Sequence, residues 1–394
     1  MPIKQTITSE KIPIKLWLDD IEQGALEQAK NLANLPFAFH HIAIMPDCHQ
    51  GYGMPIGGVL AAENTVVPNA VGVDIGCGMC ACETEKSANE IGVEELKKNL
   101  GLIRKQIPLG FKHHEKKQQE KWMPEIKSDL TIVKNEYKRA QKQIGTLGGG
   151  NHFINFMKDS KTGKVWIMLH SGSRNLGKRV ADYYNQIAKK INKKQNSKVP
   201  KKWDLAYLRV DSKEGRRYID EMNYCVDFAL FNRKHMLVKI AQIFLQVTGS
   251  KVNLDKMINI AHNYAVKETH FNREVWVHRK GATRARKGEP GIIPGCQGSK
   301  SYIIKGRGNL ESFKSCSHGA GRQMGRRQAQ KNLDLKKEQS ELEKKGILHS
   351  LRGKRDLDEA PGAYKEISKV MRDQNDLVDI EVELEPLAVV VAGG

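Results

Sequence analysis

The stretch VWIMLHSGSR at residues 165–174 is the clearest secondary-structure signal in this sequence. Its first five residues are apolar and begin with the β-branched Val165, which is typical of a buried strand. The strand leads into His170 and then into the small, turn-forming residues SGSR. A polar ligand at such a strand end faces a cleft. VGVDIGCG at 71–78 has the same character and predicts a strand that breaks into a glycine turn carrying Asp74 and Cys77.

Helical patterns surround these strand signals. Apolar side chains recur at helical spacing in residues 180–191, with lysines on or near the remaining face, which predicts an amphipathic, basic helix. Residues 213–245 and 326–345 are also helical in pattern. We therefore predict a mixed α/β fold with central β-sheets surrounded by helices. Because no internal repeat, low-complexity tract or Pro/Gly-rich linker interrupts the chain, a single domain over residues 1–394 is expected.

Charge and composition restrict the class of protein. The 394 residues carry a formal net charge of +20, which favours polyanionic partners such as nucleic acid, although a lysine-rich proteome would give the same excess. Aromatic residues are only 6%, so contacts to phosphate should outweigh base stacking. The N-terminal sequence lacks the apolar core of a signal peptide, and no stretch is apolar enough for a membrane span. With seven cysteines, an odd number, reduced thiols and a cytoplasmic location are expected.

Potential metal ligands occur in four glycine-rich or turn-forming motifs. They are Asp74 and Cys77 in VDIGCG, His152 in GTLGGGNHF, His170 in MLHSGSR and His262 in AHNYA. Glycine allows close backbone approach, so side chains from distant segments can converge on one ion. Because Asp74 and Cys77 are three residues apart, one turn can direct a carboxylate and a thiolate at the same point and bridge two metals. Such ligands suit zinc, and the carboxylate also admits manganese or iron. Cys80 and Cys82 are interpreted as packing residues.

A candidate nucleophile lies in SCSHGAGRQMGRR at 315–327. Small neighbours leave the imidazole of His318 accessible, a neutral imidazole can attack phosphorus, and the arginines that follow can bind phosphate. A glycine-rich turn before a basic helix is the alternative interpretation of this motif. In MPDCHQGYG at 45–53, Asp47 and His49 are candidates to hydrogen-bond a metal-bound imidazole. The remaining histidines considered, interpreted as solvent-facing or packing, are His113, His114, His235, His270 and His278.

Taken together, the motifs resemble a known family, the RtcB RNA-splicing ligases. The motifs that carry the resemblance are DIGCG, GTLGGGNHF, HSGSR, HNYA, RKGA, PGCQGSKS, SCSHGAGR and EAPGAYKEISKVM, in family order and approximate spacing over nearly the whole chain. The resemblance implies the single-domain α/β fold of that family and an enzyme that joins RNA 3′-phosphate or 2′,3′-cyclic phosphate ends to 5′-hydroxyl ends. It also implies a centre of two Mn²⁺ ions, with GTP as the activating cofactor.

Roles for individual residues follow from the resemblance only. It implies that Cys77 bridges both metals and that His318 carries GMP. The other implied metal ligands are Asp74, His152, His170 and His262. The implied contacts to nucleotide or RNA are Asn151 to phosphate, Tyr364 and Ser301 beside the base, Ala320 and Gly321 beside His318, and Arg174, Lys280, Arg322 and Arg326 to phosphates.

Three departures from the family pattern concern nucleotide recognition. Asn155 stands where the family usually has a glutamate that accepts hydrogen bonds from guanine, and an amide offers both a donor and an acceptor. The chain ends in Val391, Ala392, Gly393 and Gly394 rather than the usual Lys-Gly, and Cys296 replaces a serine. These departures predict a divergent paralogue with altered or relaxed nucleotide preference, dedicated to RNA repair rather than tRNA splicing.

Two other function classes remain open at this point. A two-metal phosphodiesterase or cyclic-phosphate hydrolase would use the same ligands without nucleotidylation of His318. A non-catalytic RNA-binding protein would keep the fold and the basic surface but would bind no transition metal. An idle site has little physical reason to hold five converging ligands, since burying polar and charged groups without partners costs free energy.

Overall fold

The computed structural model describes residues 2–127 and 129–391. Its strands, in chain order, are β1 (Gln5–Ile7), β2 (Ile14–Leu16), β3 (Ala38–His49), β4 (Ile56–Ala62), β5 (Thr65–Val66), β6 (Gly78–Ser87), β7 (Phe153–Asp159), β8 (Lys164–Ser171), β9 (Leu208–Arg209), β10 (Ile258–Ala261), β11 (Asn263–His270), β12 (Arg273–Lys280), β13 (Ala282–Arg284), β14 (Pro290–Ile293), β15 (Ser301–Gly306), β16 (Ser315–Ser317) and β17 (Val378–Val391). The α-helices are α1 (Gln23–Ala33), α2 (Pro68–Val71), α3 (Val93–Gln106), α4 (Thr131–Gln143), α5 (Arg174–Lys194), α6 (Lys213–Thr248), α7 (Arg326–Asn332), α8 (Leu335–Lys344) and α9 (Ile367–Arg372).

Two sheets form the centre of the molecule, as the sequence predicts. One has the strand order β1-β2-β3-β4-β12-β11 and the other the order β10-β6-β8-β7-β17-β15-β14. Two short antiparallel pairs, β13 with β16 and β5 with β9, accompany them. The result is one compact α/β fold with helices packed outside the sheets.

Both faces of the second sheet are buried. On β8, Ile167 and Leu169 pack in one apolar cluster with residues of α3 and α6, whereas Trp166 and Met168 pack in another with residues of β14 and β15. Because side chains alternate along a strand, His170 lies on the same face as Trp166 and Met168. The near-continuous apolar sequence of this strand follows from its burial on two sides.

Helix α6 is the longest helix in the described ranges and supports the ends of several strands. The Ser212 side chain accepts a hydrogen bond from the backbone N–H of Gly215 at its start, and Gly249 ends it with a left-handed φ of 69°. The helices predicted at 180–191 and 213–245 are confirmed as parts of α5 and α6. No described helix combines the length and the apolarity that a membrane crossing needs.

One local expectation is wrong. VGVDIGCG does not begin as a strand, because Pro68 starts the short helix α2 and Gly72, with a φ of 93°, ends it. The strand follows the ligand-bearing turn and begins at Gly78. The helical pattern at 326–345 is confirmed as two helices, α7 and α8, because the Asp334 side chain accepts a hydrogen bond from Lys337 N–H and caps the second one.

Candidate active site

The candidate metal ligands lie at one end of four neighbouring strands of the second sheet. Cys77 directly precedes β6, whose first residue Gly78 pairs with Ala261 at the end of β10. His262 follows Ala261, and its backbone N–H donates to the carbonyl of Cys77 at 2.8 Å. Residues almost two hundred positions apart are therefore brought together by strand pairing.

The other two histidines reach the same edge from β7 and β8. His170 pairs with Phe153, the first residue of β7, and His152 directly precedes Phe153. Because β6, β8 and β7 are adjacent in the sheet, these ends lie side by side with Cys77. Asp74 joins them from the turn before β6. His170 at the end of the apolar strand β8 was expected to face a cleft, and it lines the cavity described below.

Two groups of three ligands share one cysteine. One group is Cys77, His170 and His262, and the other is Asp74, Cys77 and His152; within each group the ligand atoms all lie within 4.8 Å of one another. Sγ of Cys77 lies 3.2 Å from Nε2 of His170 and 3.4 Å from Nε2 of His152. The predicted ligands therefore converge around Cys77, and each of the two groups could hold a metal ion.

The hydrogen-bonding state of His170 supports a metal at this point. Its Nδ1 lies 3.0 Å from the carbonyl oxygen of Asn151, so Nδ1 carries the proton and Nε2 presents a lone pair. That lone pair faces Cys77 and lies 3.3 Å from Nε2 of His262. Two imidazole nitrogens and a sulfur that converge in this way form a donor set that a bound cation would stabilise. The donor set thus fits a metal ion.

Burial determines the protonation states of these ligands. It lowers the pKa of His170 to about 3 and that of His262 well below its usual value, so both rings are neutral, as coordination requires. Burial and the neighbouring Asp74 carboxylate raise the pKa of the Cys77 thiol. A bound divalent ion would reverse that effect by stabilising the thiolate.

Helix α6 braces the ligand-bearing turns through two buried polar residues. The Arg233 guanidinium donates from NH1 to the carbonyls of Gly76 at 2.9 Å and Ser171 at 2.7 Å. The Asn232 side chain accepts from Gly145 N–H at 2.7 Å and donates to the Ser171 hydroxyl at 3.1 Å. Neither residue was expected from the sequence. No local signal marked them, because they stand in a run of four polar residues at 232–235 of a long helix.

His318 lies directly beside the ligand cluster, just after β16. Its ring centroid is 4.7 Å from that of His262. Nδ1 of His318 lies 2.6 Å from Oδ2 of Asp47, and the same oxygen accepts from the backbone N–H of His318 at 3.0 Å. Asp47 was expected to hydrogen-bond a metal-bound imidazole; instead it binds His318, because β3 ends beside β16 rather than beside the ligand turns.

A cavity opens next to His318 and the ligand cluster. Its lining includes His170, His262 and His318. It also includes six residues that were expected at a nucleotide site, namely Asn151, Asn155, Ala320, Gly321, Arg322 and Tyr364. Cys296 and His49 also line it. The sequence-predicted nucleotide residues thus mostly share one cavity with the predicted nucleophile.

Glu359 is a cavity residue that the sequence analysis missed. It is 7% exposed, its Oε1 lies 3.4 Å from NH1 of Arg322 and 3.1 Å from NH2 of Arg326, and it contacts the Tyr364 hydroxyl. Burial raises the pKa of its carboxyl, against the effect of the two arginines. Glu359 begins the motif EAPGAYKEISKVM, and its position there was the available signal.

Comparison with known proteins identifies the family. The family model described as tRNA-splicing ligase RtcB matches residues 28–392. The chain belongs to the RtcB family. It is similar to the RNA-splicing ligase RtcB of Escherichia coli, with 37% identity over 95% of this chain and 96% of the relative. It is also similar to the tRNA-splicing ligases RtcB of Methanococcus maripaludis (31%, over 91% of this chain and 90% of the relative) and Thermococcus kodakarensis (31%, over 92% and 90%).

Four residues that the resemblance to RtcB assigns to nucleotide or RNA phosphate do not line this cavity, namely Ser301, Lys280, Arg326 and Arg174. Ser301 is buried behind it, where its hydroxyl accepts from Gly295 N–H at 3.1 Å. The Lys280 amine donates to the carbonyls of Tyr52 at 2.6 Å and Asn69 at 3.0 Å. Arg326 lies at the rim and pairs with acidic side chains.

Arg174 lies behind the ligand turns of this RtcB-family chain. It has a φ of 58°, which is strained for a residue with a side chain. Its Nε donates to the Thr146 hydroxyl at 2.9 Å and its NH2 to the carbonyl of Gly110 at 2.9 Å. Gly148 fits between it and His152, since a β-carbon there would collide with both. Arg174 thus positions the loop that carries His152.

The expected departures from the RtcB pattern have different outcomes. Asn155 lines the cavity at 5% exposure, and its Oδ1 has no hydrogen-bond partner within residues 2–127 and 129–391. Val391 also lines the cavity, whereas Ala392, Gly393 and Gly394 lie outside the described residues. Cys80 and Cys82 are buried in the apolar core, as predicted, and so are His270 and His278.

Proposed function

We propose that this chain is a GTP- and Mn²⁺-dependent enzyme that joins RNA 3′-phosphate or 2′,3′-cyclic phosphate ends to 5′-hydroxyl ends, with residues 1–394 acting as one catalytic domain. The observation that carries the proposal is the position of His318. Its ring contacts His262 of the ligand cluster, its Nδ1 is engaged by buried Asp47, and it lines the cavity that also holds Asn155 and Tyr364. The names of the relatives, which are RNA ligases, support the same activity.

Two Mn²⁺ ions would be held by the two ligand groups that share Cys77. When bound, they offset negative charge that accumulates on phosphorus and its oxygens. The protein supplies the rest. Asp47 keeps the proton of His318 on Nδ1, so that Nε2 is the nucleophilic nitrogen. Asn151, Arg174, Arg322 and Arg326 are proposed to bind phosphates of nucleotide or RNA, with Lys280 contributing its remaining N–H donor.

The proposed reaction proceeds by phosphoryl transfers that balance at each step. Water first opens a cyclic phosphate by breaking the bond to the 2′-oxygen. Nε2 of His318 attacks the α-phosphorus of GTP, forming an N–P bond while pyrophosphate leaves with the electron pair. An oxygen of the RNA 3′-phosphate attacks the same phosphorus and the N–P bond breaks. The 5′-hydroxyl oxygen then attacks the RNA phosphorus, GMP leaves, and the hydroxyl proton passes to solvent.

Nucleotide choice is proposed to be less strict than guanine alone. Tyr364 and Ser301 are assigned beside the base, and the unpartnered Oδ1 of Asn155 is available as an acceptor. Since the Asn155 amide also carries N–H donors, it can bind the edge of more than one purine. We therefore propose a divergent paralogue that uses GTP with relaxed selectivity and acts in RNA repair.

A ligation assay tests the proposed function. Oligonucleotides ending in 2′,3′-cyclic phosphate and in 5′-hydroxyl are incubated with the protein, each nucleoside triphosphate in turn and Mn²⁺ or Zn²⁺. We expect a joined product that requires metal and nucleotide and is abolished by His318→Ala. A hydrolase would open the cyclic phosphate without joining, and His318→Ala would only slow it. An RNA-binding protein would do neither.

A further inference from the structure

Two aromatic side chains in the described part of the chain stand out by their exposure. Tyr52 is 81% exposed and Phe111 is 100% exposed. Large aromatic rings usually contribute to a core or an interface, because their burial is strongly favourable. An exposed ring on a firmly held turn is therefore a candidate contact for a partner that the free protein does not contain.

The Tyr52 turn joins β3 to β4 and is held by buried polar contacts. The Lys280 amine donates to the Tyr52 carbonyl at 2.6 Å, and Met54 N–H donates to it at 2.8 Å. On the preceding residue, the Gln28 amide both donates to the Gly51 carbonyl at 2.6 Å and accepts from Gly51 N–H at 3.0 Å. The backbone is thus fixed while the ring of Tyr52 points into solvent.

The Phe111 turn, which follows α3, is held in the same way by the positively charged side chain of Arg174. Gly110 N–H donates to the Gly148 carbonyl at 2.8 Å, and Arg174 NH2 donates to the Gly110 carbonyl at 2.9 Å. Lys112 N–H closes the turn on the Leu109 carbonyl at 3.1 Å. The ring of Phe111 is again left outside.

The two turns border the candidate active site on different sides. Ile56 lines the cavity and lies against Gly51, where a β-carbon would be 3.4 Å from its Cγ1. The Tyr52 turn is therefore connected to the side of the site that holds His318. The Phe111 turn is connected, through Arg174 and Gly148, to the side that holds His152.

Basic residues follow Phe111 directly in sequence, and two exposed lysines stand in the segment that contacts the Tyr52 turn. Phe111 opens the sequence FKHHEKKQQEK at 111–121, which holds more lysines than acidic residues. Beside the Tyr52 turn, Gly53 lies against the Asp204 carbonyl, where a β-carbon would be 2.8 Å away, and the exposed Lys201 and Lys202 lead into that residue. Aromatic rings within basic surroundings are the features that bind single-stranded nucleic acid, by stacking and by phosphate neutralisation.

We propose that Tyr52 and Phe111 are stacking positions for unpaired bases of the two RNA ends, one ring on each side of the site. The inference rests on the proposed function, because a joining reaction must hold two ends at once. The pinned turns reduce the ordering entropy that binding would otherwise cost. Lys280 and Arg174 act here as positioning residues, since each fixes the backbone of one turn.

Fluorescence of 2-aminopurine tests this without requiring catalysis, because stacking quenches the probe. The probe is placed at the terminal nucleotide of a 3′-phosphate oligonucleotide or of a 5′-hydroxyl oligonucleotide, and each is titrated with the full-length protein. We expect quenching at both ends, loss of quenching at one end in Tyr52→Ala and at the other in Phe111→Ala, and roughly 5- to 100-fold weaker binding of the affected end. Tyr52→Phe and Phe111→Trp should restore quenching.

The matched control is Tyr183→Ala, which removes an exposed aromatic ring on α5 and should leave the titration unchanged. Unaltered quenching in both alanine variants would overturn the proposal, as would loss at the same end in both. A further oligonucleotide lacks the base at its terminal position. If the alanine variants lost as much affinity for this oligonucleotide as for the intact one, the proposal would also be overturned. Nucleotidylation without RNA is measured in parallel. Its absence in the wild type would count against the proposed function, while the titration would still decide the stacking proposal.

Discussion

Nδ1 of His318 lies 2.6 Å from Oδ2 of Asp47, a carboxylate with no solvent exposure. That oxygen also accepts the backbone N–H of His318 at 3.0 Å and that of Gly319 at 3.3 Å. One carboxylate therefore orients both the ring and the backbone that carries it. Burial by itself raises the pKa of Asp47, but the neighbouring His318 holds this pKa below its usual range. Nε2 is the ring nitrogen that remains for chemistry.

Replacing this carboxylate should impair the nucleophile without removing it. In Asp47→Asn, the amide can donate to Nδ1 and so favour the wrong tautomer of His318, with the proton on Nε2. We expect nucleotidylation to slow by about 100-fold or more, with metal content unchanged, as measured by labelling with α-labelled GTP and by elemental analysis. Asp19→Asn, at an exposed carboxylate, is the control. Normal labelling of Asp47→Asn would contradict the orienting role.

Loss of Cys77 should affect both ligand groups, because its sulfur belongs to each. We expect Cys77→Ala to lose most of the bound metal, and both joining and labelling with it. His262→Ala and Asp74→Asn should each weaken one group. Metal content is measured after dialysis against a chelator and reloading with Mn²⁺. The control is Cys80→Ala, a nearby buried cysteine outside both groups. Full metal content in Cys77→Ala would exclude the shared ligand.

Asn155 should control nucleotide choice. We expect the wild type to be labelled by more than one purine nucleotide, and Asn155→Glu to favour GTP by roughly tenfold or more, since a carboxylate accepts both N–H donors on the guanine edge. Labelling rates with α-labelled GTP and ATP measure the effect. Asn155→Ala removes the contact to the purine altogether, so it distinguishes loss of this contact from a change in its hydrogen-bonding pattern. Strict use of GTP by the wild type would rule out relaxed selectivity.

A buried ion pair in the first sheet should stabilise the fold rather than the chemistry. Arg279 donates to both carboxylate oxygens of Glu268 at 3.0 Å, and both side chains are buried. Burial by itself raises the pKa of Glu268, but Arg279 and His270 hold this pKa well below its usual range. The stabilisation is therefore fully present above the unfolded pKa of about 4.3 and is lost as the pH falls from there through the lower pKa of the folded state.

Breaking that pair should lower the free energy of unfolding by about 3 to 5 kcal/mol at pH 7, because a buried guanidinium is left uncompensated. Chemical denaturation of Glu268→Gln measures this loss. The exposed pair Lys97–Glu94 provides the control, since Glu94→Gln should change stability by less than about 1 kcal/mol. A loss in Glu268→Gln no larger than in the control would contradict the assignment.

Many residues of the candidate site could be predicted from the sequence, because they stand in short local motifs. His170 at the end of an apolar strand, and glycines beside Cys77 and His152, are visible without a structure. The sequence did not show whether the turn with Asp74 and Cys77 follows a strand or precedes one. Pro68 and Gly72 convert the expected strand before Asp74 into a helix and a turn, so the turn precedes its strand.

Contacts that cross the fold were the part that sequence could not supply. Asp47 and His318 are 271 positions apart, and only the pairing of their strands with other strands makes them neighbours. Arg233 and Asn232 are hidden in a long helix whose other buried residues are mostly apolar, so nothing local distinguishes a brace from a packing residue. Nothing in the sequence around Lys280, which the resemblance assigns to phosphate, showed that its amine also donates to two backbone carbonyls of another segment.

Peptide mapping of the labelled protein tests the central claim most directly. The full-length chain is incubated with Mn²⁺ and GTP, digested under neutral conditions that preserve a phosphoramidate, and analysed by mass spectrometry, with His318→Ala in parallel. The account predicts one added GMP on the peptide that contains His318, which disappears on addition of RNA with a 3′-phosphate. GMP on a different residue, or joining of RNA ends by His318→Ala, would contradict it.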